Sequence, residues 1–474
     1  MGDRRALTSF WENYARSPDL QTMMLNKDAE TFDEQDRNDV MVSLPSLKGM
    51  RVVEIGSGIG RFTAALAHQA KHVLATDFMK PFIDKNRELH AHLGNVDFVC
   101  ANAAKLDLEP ENCDFVFTNW LLMYLTDVEV VDFLTTVLIW LTPNGWLHLR
   151  ESCSESSKRT SDKPEENPTH YRHICQYLAL IEKLRVKDER TGRFMRFEIM
   201  WAKSIETYVQ AVGNWRQVHT LLRKVWTEPD ENALPQGYAD LVQELDVTSI
   251  NEKKRIMEDM ASRKALWKAR SPFEAVFLKF LKDQMNLTVD HGILNVCLDS
   301  AAAVSPFAIA EEFGCAVVNL DTSTYMYDYN LALANAAADK RVRFHWVPSA
   351  DQHDWHLPKR CFDLVVACHL SSHVINFEQA LKNLRSVLLP GGKIILMEKS
   401  LGHSGILEYA RGNGFSSTVA LEDISTDVKL VLKQAITDIG KTPELQSLRQ
   451  KYEGWLKAAD GSTKWYLLTA SNGF

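Results

Sequence analysis

Glu54-Ile55-Gly56-Ser57-Gly58-Ile59-Gly60 sets an acid and three alternate glycines between an apolar run and a helical pattern. Glycine at such a junction lets the backbone turn tightly and lets a ligand approach without a Cβ in the way. Loops of this kind serve several nucleotide cofactors, so the flanking residues decide the chemistry. Glu54 would repel a pyrophosphate but attract an ammonium, and the spacing is Gly-x-Gly-x-Gly rather than Gly-x-Gly-x-x-Gly. Both features point to Glu54, Gly56 and Gly58 holding the methionine end of S-adenosylmethionine. Three further residues follow later apolar runs, which a parallel sheet brings to one edge. Asp77 can accept both ribose hydroxyls, Asn102 can bond the adenine edge, and Asn119 falls near the reactive sulfonium.

The elements that must position these residues are short. Arg51–Ile55 reads as a buried strand and Gly60–Ala70 as the helix after it. Lys71–Asp77, Val96–Cys100, Cys113–Phe117 and Gly145–Leu149 read as four more strands. Strands separated by helical patterns argue a doubly wound parallel α/β sheet. The C-terminal half repeats this grammar at Gly292–Val296, Ala316–Asp321, Val342–Val347, Cys361–Val366 and Leu389–Leu396. Cys113-Asp114-Phe115-Val116-Phe117 pairs with Cys361-Phe362-Asp363-Leu364-Val365, and Leu141–Gly145 with Leu389–Gly392, which suggests a tandem duplication. The expected fold is therefore two tandem Rossmann-like domains: 1–240, active; 241–285, a helical connector; and 286–474, degenerate. Degeneracy is read at Asn295–Ala303, where side chains replace every glycine and hinder close backbone approach, although Asp321 survives.

Composition narrows the partners. The 474-residue chain is 45% hydrophobic and 24% charged, which suits two globular domains. A net charge of −8 gives no global reason to bind nucleic acid or an anionic membrane. The run after the fourth strand, Asn119-Trp120-Leu121-Leu122, is also not the Asn-Pro-Pro-Tyr type of a base methylase. Eight scattered cysteines without metal spacing read as reduced thiols, and no apolar stretch reaches the roughly 18 residues of a membrane span. With no apolar leader at Met1–Arg5, a cytoplasmic location is expected.

Residues Phe10–Arg172 resemble the two-domain phosphoethanolamine N-methyltransferases of plants and nematodes. The resemblance rests on Val53–Thr63, Asn119–Leu125, Arg150–Cys153, Asn167–Arg172 and Met23-Met24-Leu25. The nematode form with an active first domain is the best likeness. It implies the first methylation, phosphoethanolamine to phosphomonomethylethanolamine, with later steps left to a sister enzyme. It also implies Gly56, Arg61, Asp77, Asn102, Ala103 and Asn119 as cofactor residues, with Asn102 where the family often has Asp.

Methyl transfer to nitrogen is an in-line displacement, and the substrate ammonium must lose a proton before it attacks. Tyr124, Tyr14 and His170 are the candidates to bind or deprotonate it; single-domain relatives use a Tyr–His pair, but Tyr124 stands where that His is expected. Ser152, Tyr171 and Arg172 are the candidates for the phosphate, since Arg fits phosphate bidentately. Lys158-Arg159 reads as solvated surface, Trp120 as a wall of the site, and Phe10–Leu25 as a helical arm able to fold over it. Two other readings are a methyltransferase for another small amine or acid, and a non-catalytic S-adenosylmethionine-binding scaffold. The intact Glu54–Asn119 set and the donor-rich Asn167–Arg172 segment favour catalysis.

Overall fold

Every apolar run named above forms a strand in the computed structural model. Residues 2–154, 169–228, 238–245, 272–298, 304–399, 411–412, 414–440, 446–461 and 463–472 are described. The chain divides into two units, Met1–Ser249 and Ile250–Phe474.

In the first unit, β1 (Arg51–Ile55), β2 (His72–Asp77), β3 (Val96–Cys100), β4 (Cys113–Thr118) and β5 (Leu141–Ser152) are parallel, in the order β3-β2-β1-β4-β5. The chain reverses direction across the sheet between β1 and β4, so loops on either side diverge at the carboxyl edge and leave a crevice. Two long antiparallel strands, β7 (Phe194–Ser204) and β8 (Gln217–Thr227), extend the sheet beyond β5, and a short β6 (Val186–Lys187) pairs with β7. The pattern reading missed these three. β8 is nearly continuously buried, so it lacks the alternation that marks a half-buried strand.

Helices follow local signals. α6 (Asp127–Trp140) opens on a capping box, with Thr126 and Glu129 each satisfying the other's backbone N–H. The expected Gly60–Ala70 helix shrinks to α4 (Thr63–Ala67), because left-handed Gly56, Gly58 and Gly60 occupy its approach. The arm at Phe10–Leu25 is two helices, α1 (Gly2–Tyr14) and α2 (Leu20–Met24), the second capped by the Asp19 side chain. α5 (Lys80–His90) follows β2, and α7 (Ile174–Lys183) and α8 (Tyr238–Gln243) complete the described helices of this unit.

α3 (Asp33–Met41) docks through charge rather than through an apolar stripe. Asp33, Asp36 and Asp39 recur at a spacing of three, which puts them on one helix face. Asp33 and Asp36 meet cations, and Asp39 accepts from the Thr207 N–H and hydroxyl. Arg61 bonds Asp33 and Asp36, each at 2.7 Å. Arg150 of β5 holds Asp36 with two bonds of 2.8 and 2.9 Å, and both side chains are wholly buried. Burial alone would raise the Asp36 pKa, but the guanidiniums of Arg150 and Arg61 win and hold it below the usual carboxylate range.

The second unit repeats the skeleton. β9 (Gly292–Cys297), β10 (Ala316–Asp321), β11 (Val342–Trp346), β12 (Phe362–Cys368) and β13 (Leu388–Lys399) are parallel in the order β11-β10-β9-β12-β13. β15 (Trp465–Asn472) and β14 (Phe415–Asp423) extend it antiparallel. The strand register places Asn295 where the first unit has Glu54, and Asp321 where it has Asp77. The expected connector at 241–285 lies largely outside the described residues; Pro272–Gln284 is helical.

Removing one member of a buried ion pair leaves the other charge unpaired, at a cost of about 3–5 kcal/mol. Asp36→Ala should therefore lower the unfolding free energy by that amount, read as a lower denaturant midpoint at unchanged m, and Asp36→Leu with Arg150→Met should recover much of it. Equal midpoints for wild type and Asp36→Ala would contradict the network's structural role.

Candidate active site

The glycine loop turns at the carboxyl end of β1 with Gly56, Gly58 and Gly60 at φ of 73°, 56° and 92°. These are left-handed conformations that L side chains rarely adopt. The N–H groups of Gly56 and Ser57 donate to the Thr76 carbonyl, each at 2.9 Å. Gly58 N–H donates to Asp77 Oδ2 at 2.9 Å and Met79 N–H to Oδ1 at 2.8 Å, so Asp77 ties the loop to the end of β2. Each Asp77 oxygen keeps lone-pair capacity for a ribose hydroxyl.

Glu54 lies buried beneath this loop. Thr63 Oγ1 donates to its Oε2 at 2.5 Å, and Asn86 Nδ2 supports Thr63 at 3.0 Å and Ser57 Oγ at 3.2 Å. Burial, together with nearby Asp77, pushes Glu54 up to about 8. Burial pushes Asp77 up to about 6 against the N–H groups of Met79 and Gly58. Two buried acids without a salt bridge among the described residues fit an incoming ammonium and diol. Asn102 caps a short turn, its Oδ1 accepting Ala104 N–H at 2.9 Å, and Ala103 opens that turn.

Asn119, just past β4, accepts from Arg150 Nη1 at 3.1 Å. Trp120 follows at φ 56°, a conformation that costs a bulky residue roughly 1–3 kcal/mol. Its ring lies against Arg150, 4.3 Å from guanidinium carbon to centroid, with Arg61 at 5.4 Å, and its indole N–H donates to Gln217 Oε1 at 2.7 Å. Arg61 bonds Asp33 and Asp36, and among the described residues its Nη1 is buried without a protein partner. Arg150, absent from the site candidates, is the hub here; its visible signals were a charge near the end of an apolar strand and its place in the Arg150–Cys153 motif.

Tyr124 closes the turn after Trp120. The Trp11 ring meets it edge-on at 5.4 Å, and Tyr14 stacks on Phe10 in the same helix at 4.8 Å. Burial raises the Tyr124 hydroxyl well above the ordinary phenol range, the Tyr171, Glu151 and Tyr14 charges add to this, and a bond to Thr169 opposes it. Tyr14 and Tyr124 both pack against the Trp11 ring, and Tyr171 lies near enough for its charge to act on Tyr124. Met23 reaches over the loop so closely that a Cβ at Gly58 would overlap it, which puts the arm over the cofactor loop. His170 runs beside Tyr124, its N–H donating to the Met123 carbonyl at 2.7 Å.

Arg172 departs from expectation. Its Nε and Nη2 donate to Asp127 at 2.8 and 2.6 Å, Nη2 also to the Leu125 carbonyl at 2.7 Å, and Nη1 to the Leu122 carbonyl at 3.0 Å and Tyr177 hydroxyl at 3.4 Å. All five N–H donors are engaged, so the expected phosphate contact has no donor left. Ser152 accepts from Gln217 Nε2 at 2.8 Å, which places it behind Trp120. Asn167, Pro168 and Lys158-Arg159 lie outside the described residues.

The second unit fills the equivalent ground with amides. Asn295 donates to Asn319 Oδ1 at 2.7 Å, and Asn319 and Asn330 donate to Asp321 Oδ2 at 2.9 and 3.0 Å. The loop at 299–303 lies outside the described residues.

A buried acid raised from its unfolded value costs stability as pH rises toward its folded value. With Glu54 at about 8, the ligand-free first unit should lose stability from the acidic range up to that pH. Glu54→Gln should melt above wild type at pH 8 and converge with it near pH 5, by calorimetry. An unchanged difference across that range would show that Glu54 does not titrate there.

Two stretches, 52–145 and 300–396, each match a family model described as a methyltransferase domain. Phosphoethanolamine N-methyltransferase 1 of Caenorhabditis elegans is 36% identical over 83% of this chain and 83% of its own. Phosphoethanolamine N-methyltransferase 3 of Arabidopsis thaliana is 29% identical over 99% and 98%. A solved structure, Haemonchus contortus phosphoethanolamine N-methyltransferase 1 with phosphoethanolamine and S-adenosylhomocysteine, superposes with a TM-score of 0.82 at 30% identity, covering 99% of this chain and 97% of that one. The paired methyltransferase domains, the buried acids around the glycine loop and this full-length likeness agree: the chain belongs to the phosphoethanolamine N-methyltransferase family.

Proposed function

We propose that the first unit methylates the nitrogen of phosphoethanolamine, giving phosphomonomethylethanolamine, and that the second unit does not carry this reaction. One observation carries the reading. In the first unit Glu54 lies buried beneath three left-handed glycines and Asp77 ties that loop to β2, whereas the second unit replaces Glu54 with Asn295 and surrounds Asp321 Oδ2 with amides. The names of the nematode relative and of the Haemonchus complex support the substrate.

When bound, S-adenosylmethionine supplies the electrophilic methyl group. Glu54 would hold its ammonium, Gly56 and Gly58 its methionine backbone, Asp77 the ribose, and Asn102 with Ala103 the adenine. Asn119 and Arg61 Nη1, the latter buried without a protein partner among the described residues, would serve its remaining polar atoms. Tyr124 stays a neutral phenol at working pH, so it orients the substrate amine through its oxygen rather than taking its proton. His170 is the one member of the candidate set whose ordinary titration range suits a base near neutrality. It would accept the ammonium proton before the attack, which frees the nitrogen lone pair, and pass that proton to water. Tyr171 and Tyr14 offer hydroxyls to the substrate. Trp11 and Met23 exclude water from the crevice, and aligned reactants contribute about 7–11 kcal/mol to such displacements.

The eight cysteines are all unpaired, which supports a reducing, cytoplasmic setting. Among the described residues no helix is long and apolar enough to cross a membrane. A sister enzyme acting on the monomethyl product completes this reading.

Titration with S-adenosylhomocysteine should show one equivalent bound, and turnover should occur on phosphoethanolamine but not on its mono- or dimethyl forms. Tyr124→Phe should lower kcat roughly tenfold or more, the worth of a hydrogen bond to a charged group. Two equivalents, or turnover on the methylated forms, would return activity to the second unit.

A further inference from the structure

The turn that carries Tyr124 is gripped by a buried carboxyl on its N–H groups and a buried guanidinium on its carbonyls. Glu151, at the end of β5, takes three successive backbone N–H groups: Leu121 at 3.2 Å and Leu122 at 2.8 Å on Oε1, and Met123 at 3.0 Å on Oε2. Arg172 takes the carbonyls of Leu122 at 3.0 Å and Leu125 at 2.7 Å from the opposite side. Trp120 N–H donates to the Arg150 carbonyl at 2.7 Å, and the Met123 carbonyl accepts from His170 N–H at 2.7 Å. The backbone on both sides of Tyr124 is thereby fixed by groups outside the turn. Tyr124 itself is held through this backbone, its ring packing against Trp11 and the bond between its hydroxyl and Thr169.

The second unit keeps part of the device. His369 stands at φ 55°, matching Trp120 at 56°, and its N–H donates to the Met397 carbonyl at 2.7 Å. Glu398 accepts from Ser371 N–H at 3.1 Å and its hydroxyl at 2.6 Å. An acid at the end of the fifth strand therefore fixes the turn in both units, and Tyr124 is what the first unit mounts on it.

We infer that Glu151 is a positioning residue for methyl transfer, acting on turnover through the Tyr124 turn, with Arg172 as its counterpart on the carbonyl side. This rests on the reading of Tyr124 as the residue that orients the amine. Three N–H groups need an acceptor on both carboxylate oxygens. A glutamine offers one oxygen and one NH2, so it sets donor against donor at one of the three positions. The fold around the turn can survive this, but the tyrosine's placement loosens, and small misplacements near the reacting atoms cost rate steeply.

The test compares full-length wild type, Glu151→Gln, Glu151→Asp, Tyr124→Phe and the double variant Glu151→Gln/Tyr124→Phe. Glu151→Gln should lower kcat roughly 10–100-fold while the KM for phosphoethanolamine changes less than about threefold and S-adenosylhomocysteine affinity less than about twofold, the pattern of an interaction that matters in the transition state. Because the two act as a unit, the double variant should be no slower than the slower single variant. Should Glu151→Gln fail to bind S-adenosylhomocysteine or melt cooperatively, Glu151→Asp takes its place and should show the same kcat-only loss in milder form. An unchanged kcat, a loss confined to KM, or additive losses in the double variant would overturn the inference. A silent Tyr124→Phe beside a slow Glu151→Gln would also overturn it, together with the reading of Tyr124. A wild type inactive on phosphoethanolamine would instead overturn the proposed reaction, and the S-adenosylhomocysteine and melting data would report that separately.

Discussion

Arg150 has no exposed surface, and its charge survives there because Asp36 meets it with two hydrogen bonds. Much of the site depends on that pair. It anchors α3 to the sheet edge and holds Arg61 through the shared Asp36. It also gives Asn119 a donor and Trp120 a cation to lie against. A buried ion pair adds little net stability over apolar residues, yet it tolerates few alternative arrangements, because a displaced charge would be left without a partner. Here that intolerance sets the geometry of the loop after β4, next to the crevice.

The acids on the other side of the crevice are treated oppositely. Asp36 is paired with guanidiniums and kept ionised. Glu54 and Asp77 are buried with neutral donors only, and burial raises both. A site that satisfied them with its own cations would have nothing to offer a cationic ligand. Leaving them underpaired makes the empty protein less comfortable at neutral pH and gives binding something to relieve. The same logic accounts for Arg172, which the chain uses to hold the Tyr124 turn rather than to meet solvent or phosphate.

The two units show how much of this skeleton is independent of the chemistry. Strand order, the left-handed residue after the fourth strand and the acid ending the fifth are shared. What differs is local: Glu54 becomes Asn295, and the acid ending the second strand bonds Asn319 and Asn330 instead of a glycine N–H and the Met79 N–H. Amide side chains bond Asp321 Oδ2 where backbone N–H groups bond Asp77, and among the described residues Asp321 Oδ1 is buried without a protein partner.

The sequence by itself determined the paired α/β domains and the placement of the glycine loop and its acids at the carboxyl edge of the sheet. Glycine at alternate positions has a conformational meaning that side-chain context cannot reverse, and an acid ending a short apolar run marks the carboxyl edge of a parallel sheet wherever it occurs. Glu54, Gly56, Gly58 and Asp77 were legible for that reason. Only the tertiary structure decided which charges pair. Asp36 and Arg150 are separated by more than a hundred residues, and nothing in the run Asp33-Glu34-Gln35-Asp36 distinguishes a buried partner from a solvated face. Arg172 likewise carried a phosphate-binder's chemistry in a promising motif, and its inward turn depends on carbonyls that the Tyr124 loop presents only once folded. Charge identity is local, but charge pairing is a long-range property, because desolvation and distance are set by the whole fold.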